Sequence, residues 1–227
     1  MKKLFIVLIF VVGTTICAQA QKQIYAGGSF GLDFGGNKGQ SSKGPSFGFF
    51  YLSPMAGYCL FDKLSVGTQL TLGFGSNNSR NESSNGSYKK RAFLWGFAPF
   101  GRYTLIEVGK LSLLAEGRIS IQGASTKQGY KGDMSKGPSV TEFSITAMPL
   151  LTFGFTPKLN LEAHFNLFRF GFGVATTKYS GGGKSTDSFF GMGVNSTSIP
   201  EEAAGLIGGS NALKAPMFEI GMTYKLF

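Results

Sequence analysis

The sequence predicts an all-β fold, an eight-stranded antiparallel transmembrane β-barrel built as an up-and-down meander. Three observations predict it. The chain begins with an export signal, apolar and small polar residues alternate in segments along the rest of it, and tight turns alternate with long polar connections. Together they predict a signal peptide at residues 1–20 and one barrel domain at residues 21–227.

The first 20 residues show the features of a secretory signal peptide in their usual order. Two lysines precede an apolar run at residues 4–12, and the small residues AQA follow, ending at Ala20. This order predicts export, cleavage and a mature chain that starts at Gln21. Cleavage leaves Cys59 as the only cysteine. We therefore expect neither a disulfide nor a cysteine-based metal site.

The composition indicates that much of the surface does not face water. Only 15% of the 227 residues are charged, against about 25% in a typical soluble domain. Without the two lysines of the signal peptide, 20 basic and 12 acidic side chains remain, a net charge of +8. Export argues against nucleic acid as the partner of this charge. An anionic lipopolysaccharide or cell-surface partner is one interpretation, and simple solvation of loops is the other.

The alternation is clearest in LSVGTQLTLGFGS, residues 64–76. One face carries Leu, Val, Thr and Phe, whereas the other carries small neutral Gly, Ser, Gln and Thr. Such residues suit the crowded inside of a narrow barrel, whereas a face in bulk water would carry charges. A soluble sandwich or lipocalin, with the apolar face inside, is the alternative. In chain order, strands are predicted in residues 24–34, in the segment before FDK, and in residues 64–76, 93–103, 111–122, 142–153, 159–166 and 217–227.

The connections between these strands differ in length in strict alternation. The turns FDK, IEVGK and TPK are tight, whereas the other connections are long, polar and rich in Gly and Ser. In a closed barrel this places the long loops at an extracellular rim, and the turns and both termini at a periplasmic rim. We expect the longest connection, residues 174–212, to be the principal exposed loop. The others are GGNKGQSSKGP, NNSRNESSNGSYKK and ASTKQGYKGDMSKGP.

Two hairpins, FYLSPMAGYCLFDKLSVG and GFAPFGRYTLIEVGKLSLLAEGRISIQG, resemble those of the bacterial outer-membrane β-barrel domain family, the small OmpX-like and OmpA-barrel-like proteins. The resemblance implies a monomer in the cell outer membrane, surrounded by its lipid and lipopolysaccharide, without enzymatic activity or cofactor. It also implies that the barrel assembly machinery reads the aromatic end of the last strand. Tyr224 and Phe227 are the residues of that end, and aromatic rings are enriched at such membrane interfaces.

Charged residues in the inward phase of the strands predict a polar network in the lumen. Arg102 lies about level with Glu116 across the IEVGK turn, and Arg118 shares their phase. Because buried charges require partners, we expect guanidinium groups to hold carboxylates and plug the lumen. A wet channel wall is the alternative interpretation. The predicted network comprises Arg102, Glu116, Arg118, Glu142, Glu162, His164 and Glu219.

Apparent chemical motifs are weak. GGGKST, residues 181–186, lacks the first glycine of a phosphate-binding loop. His164, the only histidine, could serve a lipid hydrolase or join two Glu residues at a metal, but an inward position in a packed interior argues against both. Three functions remain: a structural or surface-interaction barrel that binds an extracellular ligand through its loops, a small porin-like channel, and a lipid-modifying enzyme. The narrow bore of about eight strands favours the first.

Overall fold

A computed structural model describes residues 23–38, 43–80, 87–130, 133–165, 170–192 and 218–226. The predicted signal peptide and Phe227 lie outside these ranges. Within them no helix has the length and apolar character needed to cross a membrane. The strands are β1 (Ile24–Lys38), β2 (Lys43–Phe61), β3 (Leu64–Arg80), β4 (Ser87–Val108), β5 (Leu111–Tyr130), β6 (Asp133–Gly154), β7 (Leu159–Phe165), β8 (Phe170–Lys178), β9 (Lys184–Met192) and β10 (Phe218–Lys225).

The ten described strands occupy eight positions in a closed antiparallel ring. From β1 to β7 each strand pairs with the next along the chain, and β10 closes the ring between β7 and β1. β7 and β8 pair one after the other with the same edge of β6. On the far side of these two strands, β9 pairs with β8 and β10 pairs with β7. The prediction of an all-β up-and-down barrel of eight positions is therefore confirmed, with the last two positions each built from two segments.

The strands extend into segments that we expected to be long loops. β1 continues to Lys38, and β2 begins at Lys43. In the same way, β5 continues to Tyr130, and β6 begins at Asp133. The expectation of one loop at residues 174–212 is wrong for its described part. Residues 174–178 complete β8 and β9 follows after a short turn, while residues 193–212 lie outside the described ranges. The hairpin forms because the edge of β6 offers backbone hydrogen-bonding groups to β8. The small polar residues of the hairpin hide the alternation of apolar and polar residues that would predict a strand.

Four neighbouring strands carry outward apolar runs of at least ten residue steps. The runs include residues 64–74, 93–103, 111–121 and 143–153, with glycine or threonine at a few outward positions, and on β4 exposed apolar residues continue from Leu105 to Val108. The first two runs face each other in register, as do the last two, whereas Phe93 on β4 faces Ser125 on β5. This offset between β4 and β5 reflects the stagger that a closed barrel of tilted strands requires.

Glycines facing the lumen make room for two inward aromatic rings. Gly57 lies beneath the ring of Tyr25, and Gly67 lies beneath the ring of Phe100. A Cβ atom on either glycine would collide with that ring, and on Gly67 also with the carbonyl oxygen of Ala56. The unusual content of 34 glycines and 23 phenylalanines is thus partly a packing requirement of the narrow interior.

The turn between β4 and β5 depends on a left-handed glycine. Val108 faces Leu111, so Gly109 and Lys110 form a two-residue turn, and Gly109 has a φ of 61°. No atom lies within 4 Å of a Cβ added at Gly109, so alanine there strains only the backbone. Gly109→Ala should lower the free energy of unfolding by about 1–2 kcal/mol, measured by urea unfolding in lipid vesicles.

Gly117 on β5 provides the matched control. A Cβ there also meets nothing within 4 Å, but its backbone is extended. Gly117→Ala should leave stability unchanged or slightly raised, since alanine loses less entropy than glycine in a strand. An equal loss in both variants would show that the conformation of Gly109 is not the cause.

Candidate functional site

Arg102 is the centre of a charged layer in the lumen. It projects inward from β4 and is only 3% exposed. Its Nε donates to Oε2 of Glu116 at 2.7 Å, and its Nη1 and Nη2 donate to Oε1 and Oε2 of Glu162 at 2.9 and 3.1 Å. β7, which carries Glu162, does not neighbour β4 in the wall. The second ion pair therefore crosses the lumen.

Glu116 joins two guanidinium groups. It faces Arg102 directly in the β4–β5 register and is 1% exposed. Its Oε2 accepts from Arg102, whereas its Oε1 accepts from Nε of Arg118 at 3.0 Å and also from Nη2 of Arg118. Each carboxylate oxygen thus has a charged donor, as a buried carboxylate requires.

Glu162 is held from three sides. Besides the two bonds from Arg102, its Oε1 accepts from the hydroxyl of Thr223 at 2.9 Å, and Nε2 of His164 lies 3.6 Å from its Oε2. The charges of two arginines and two glutamates cancel, so the layer needs no outside counter-ion. The layer is therefore a neutral, hydrogen-bonded plug that joins strands across the lumen.

Aromatic rings and a sulfur complete the surroundings of Arg102. Its Cζ lies 4.5 Å from the ring centroid of Phe100 and 5.8 Å from that of Tyr25, and its Nη2 donates to Sδ of Met55 at 3.5 Å. Such rings favour a cation over their faces. The inward phase of Tyr25 and Phe100 was visible in the sequence, but their convergence on one guanidinium depends on the barrel width.

The structure does not bring every predicted network residue to this layer. Glu142 is buried on β6 but faces Gln122, whereas Glu116 faces Met148 on the same strand. The six-residue offset along β6 corresponds to about 20 Å, so Glu142 lies at another level of the lumen than Glu116.

The remaining predicted residues lie on β10 or beyond it. The backbone of Glu219 faces that of His164, but the side chain of Glu219 is outside the described part of the structure. Tyr224 is 46% exposed on the outward face, and Phe227 lies beyond the described ranges. Among the described residues, no cluster of three His, Cys, Asp or Glu side chains could hold a metal ion.

A cavity of about 600 Å³ opens at the rim that carries the short turns. Its wall includes the turn residues Lys63 and Lys110, and Arg102 and Glu162 lie at its inner end. The cavity therefore reaches from this rim to the charged layer.

Further layers fill the lumen on the other side of the charges. Hydroxyl pairs cross between strands there, at 2.7 Å for Ser120 and Ser144 and at 3.1 Å for Ser53 and Thr71. Beyond them the interior is mixed. Buried apolar side chains, those of Phe49, Ala92, Leu94, Ala124 and Val140, lie there among the buried polar side chains of Thr126, Glu142 and Thr177.

No protein-family model and no curated protein matches the chain. Solved structures do match at low identity. Neisserial surface protein A (NspA) is 12% identical with a TM-score of 0.36, covering 91% of this chain and 98% of its own. A major outer membrane protein from Thermus thermophilus is 12% identical with a TM-score of 0.45, covering 91% and 100%. Ail, the attachment invasion locus protein of Yersinia pestis, is 13% identical with a TM-score of 0.40, covering 92% and 100%.

The similarities are distant, since every TM-score given is below 0.5. The fold described above therefore rests on the strand pairing of this chain itself.

Proposed function

We propose that this protein is an integral outer-membrane β-barrel with a side-chain-filled lumen and a structural or surface-interaction role. The apolar outer belt carries the proposal. Its runs of ten residue steps correspond to about 34 Å along a strand, or about 25 Å of height at a tilt of about 40°. That height equals the apolar band of outer-membrane barrels.

The exposure of the belt supports the same proposal. Ile119 is 48% exposed and Phe74 57% exposed, and their outward neighbours on the facing strands are apolar too. Monomeric soluble proteins rarely expose contiguous apolar patches beyond a few hundred Å². A ring of lipid around the barrel removes this surface from water.

The filled lumen supports a surface role over the two alternatives. A small channel would need a continuous path, whereas the Arg102–Glu162 pair crosses the lumen and layers of buried side chains follow it. A lipid-modifying enzyme would need an accessible base, whereas His164 is buried beside Glu162. These contacts favour a structural role for His164, and the proposed role is accordingly not that of an enzyme.

The proposed location and partners of the protein follow from its predicted export and from its apolar outer belt. After cleavage of the signal peptide the protein would enter the outer membrane as a monomer, with lipid and lipopolysaccharide around it. The barrel assembly machinery would read the last strand, with Tyr224 and Phe227 as the aromatic end. An extracellular ligand would meet the rim opposite the short turns. Nucleic acid is not a proposed partner.

The single tryptophan offers a direct test of the lipid-facing belt. Trp95 is 37% exposed on the outward face of β4, and its neighbours in register are Leu72 and Gly123. In vesicles, lipids brominated along their acyl chains should quench most of its fluorescence, whereas aqueous iodide should quench little, because the indole lies in hydrocarbon.

A relocated tryptophan provides the control. In the double variant Trp95→Phe/Tyr130→Trp the indole would replace an exposed aromatic ring at the end of β5, beyond the belt. Iodide should quench this variant strongly. If iodide also quenches wild-type Trp95 while brominated lipid does not, the outer belt faces water and the membrane proposal is wrong.

A further inference from the structure

The cavity at the short-turn rim is large enough to hold a small molecule. We call it the rim cavity, and its volume of about 600 Å³ lies within the range of about 300–1,000 Å³ that is usual for ligand sites. Each of the eight strand positions contributes inward side chains to its wall. Those on which the inference depends belong to Cys59, Thr104, Ser112, Thr152, Asn160 and Lys225.

One ammonium group in the rim cavity has no partner of opposite charge. Lys225 is half-buried on the inward face of β10, and no ion pair of the described residues includes it. The other six charged residues of the wall have a neighbour of opposite sign in space or in sequence, and these pairs are Arg102 with Glu162, Asp62 with Lys63, and Glu107 with Lys110. Lys225 therefore gives the cavity an excess positive charge, which favours an anionic ligand.

A buried hydroxyl group of the wall also has no partner. Thr104 lies on the inward face of β4 and is only 9% exposed. Its backbone nitrogen donates to the carbonyl oxygen of Lys63 at 2.8 Å, but its hydroxyl forms no hydrogen bond with any part of the chain that the structure describes. Such a group has given up water without gaining a protein partner, which is unfavourable. A polar ligand in the cavity would supply the missing hydrogen bond.

Three further polar side chains form an uncharged patch on the same wall. Ser112 on β5 faces Thr152 on β6, and Asn160 on β7 faces Gly154, two residues further along β6. The side chains of Ser112, Thr152 and Asn160 are half-buried, and none of them is hydrogen-bonded to another described residue. Hydroxyl and amide groups both donate and accept hydrogen bonds. The uncharged patch therefore suits a ligand that carries hydroxyl groups.

We propose that the rim cavity binds a small sugar that carries an acidic group. Lys225 receives the acidic group, a phosphate or a carboxylate, because both accept charge-assisted hydrogen bonds from an ammonium group. Thr104 and the uncharged patch receive the sugar hydroxyls. A sugar is favoured over a bare inorganic anion because neutral polar groups outnumber the single unpaired cation. The inference goes beyond the proposed surface role, and only the assignment of this rim to the periplasm rests on that role.

The chain contains its own reporter of occupancy. Cys59 is the only cysteine after the predicted signal peptide, and its free, half-buried thiol lies on the cavity wall. The test measures how fast a thiosulfonate reagent modifies Cys59 in the mature barrel, purified in neutral detergent. Glucose 6-phosphate or glucuronate should slow the reaction in a saturable manner, and comparison of the two identifies the preferred acidic group. Glucose and inorganic phosphate should each bind at least about tenfold more weakly.

Two lysines of the same rim provide a matched pair of variants. The carbonyl oxygen of Lys158 accepts from the backbone nitrogen of Lys225 at 2.8 Å, but the side chain of Lys158 is exposed and does not line the cavity. Lys225→Gln should weaken the protecting sugar by about tenfold or more, whereas Lys158→Gln should stay within about twofold of the wild type. Equal effects of both variants would overturn the site, since the charge would then act without contact.

Two threonines separate ligand binding from a structural role. Thr146 on β6 is also buried with an unpartnered hydroxyl, but it faces Arg118 on the far side of the charged layer. Thr104→Val and Thr146→Val should both leave the barrel at least as stable as the wild type by heat-modifiable gel mobility, because neither hydroxyl has a partner to lose. Only Thr104→Val should weaken sugar binding, by about fivefold.

Four outcomes would overturn the proposal. These are the absence of saturable protection by either acidic sugar, equal protection by glucose, equal protection by inorganic phosphate, and unchanged sugar binding in Thr104→Val. If the wild type forms no heat-modifiable barrel in neutral vesicles, the outer-membrane function itself fails. If the barrel forms and Cys59 reacts at the same rate with and without the sugars, this inference alone is wrong.

Discussion

Replacing Arg102 by alanine is expected to lower the free energy of unfolding by about 3–5 kcal/mol. The loss is large because Glu162 would stay buried with only Thr223 and His164 as partners. The measurement is urea unfolding in lipid vesicles, followed by gel mobility and by Trp95 fluorescence. Arg91→Ala, an exposed arginine on the same strand, is the control and should change stability by less than about 0.5 kcal/mol.

Double-mutant cycles sharpen this expectation. Arg102→Ala combined with Glu162→Ala should show a coupling energy of about 1–3 kcal/mol. The coupling with Glu116→Ala should be smaller, because Glu116 retains the bonds from Arg118 when Arg102 is removed. Additive effects in both cycles would mean that the side chains do not interact, and the charged plug would lose its basis.

Ala115→Arg is expected to destabilise the barrel in a bilayer by about 2–4 kcal/mol. Ala115 lies exposed on the outward face of β5, four residues beyond Leu111 and six before Ile121, near the middle of its run. Its side chain would therefore place a charge deep in hydrocarbon. Reversible unfolding of the variant in phospholipid vesicles measures the effect.

Ser125→Arg is the matched control for depth. Ser125 shares the outward face of β5 ten residues further along, close to Lys127. Arginine there should cost about 0–1 kcal/mol, since it reaches the headgroups. On a water-exposed wall both substitutions would fall within about 0.5 kcal/mol of the wild type, and such a result would contradict a membrane barrel.

The wall of the barrel could be predicted from the sequence because the outward and inward faces of each strand have different surroundings. This difference makes residue types alternate along the strand with a period of two. From Leu64 to Phe74 every outward residue is apolar or threonine and every inward residue is glycine or an uncharged polar residue, and β3 forms with that phase. The tight turn at FDK fixes the β2–β3 pairing in the same way. Where this contrast fades, as at Lys178 and Lys184, the strand continues although the pattern no longer indicates it.

The contents of the lumen could be predicted only in part. Arg102 and Glu116 face each other across one hairpin, so turn length and phase suffice to place them together. Glu162 reaches Arg102 from the opposite side of the lumen, which depends on barrel width and strand stagger. The phase of a residue shows which side of the wall its side chain faces, but not how far along the strand it lies relative to other strands. Glu142 has the correct phase, but its height separates it from the Arg102 layer.

The length of the strands also affects how this protein can meet a partner. β4, β5 and β6 contain 22, 20 and 22 residues, whereas a tilted strand crosses a bilayer in about 9–11. About half of each strand thus continues past the lipid as a paired ladder. A flexible loop loses conformational entropy when it binds, but a ladder has already lost it on folding. Recognition at this end would therefore depend on a side-chain pattern held in fixed register, with little rearrangement of the backbone on contact.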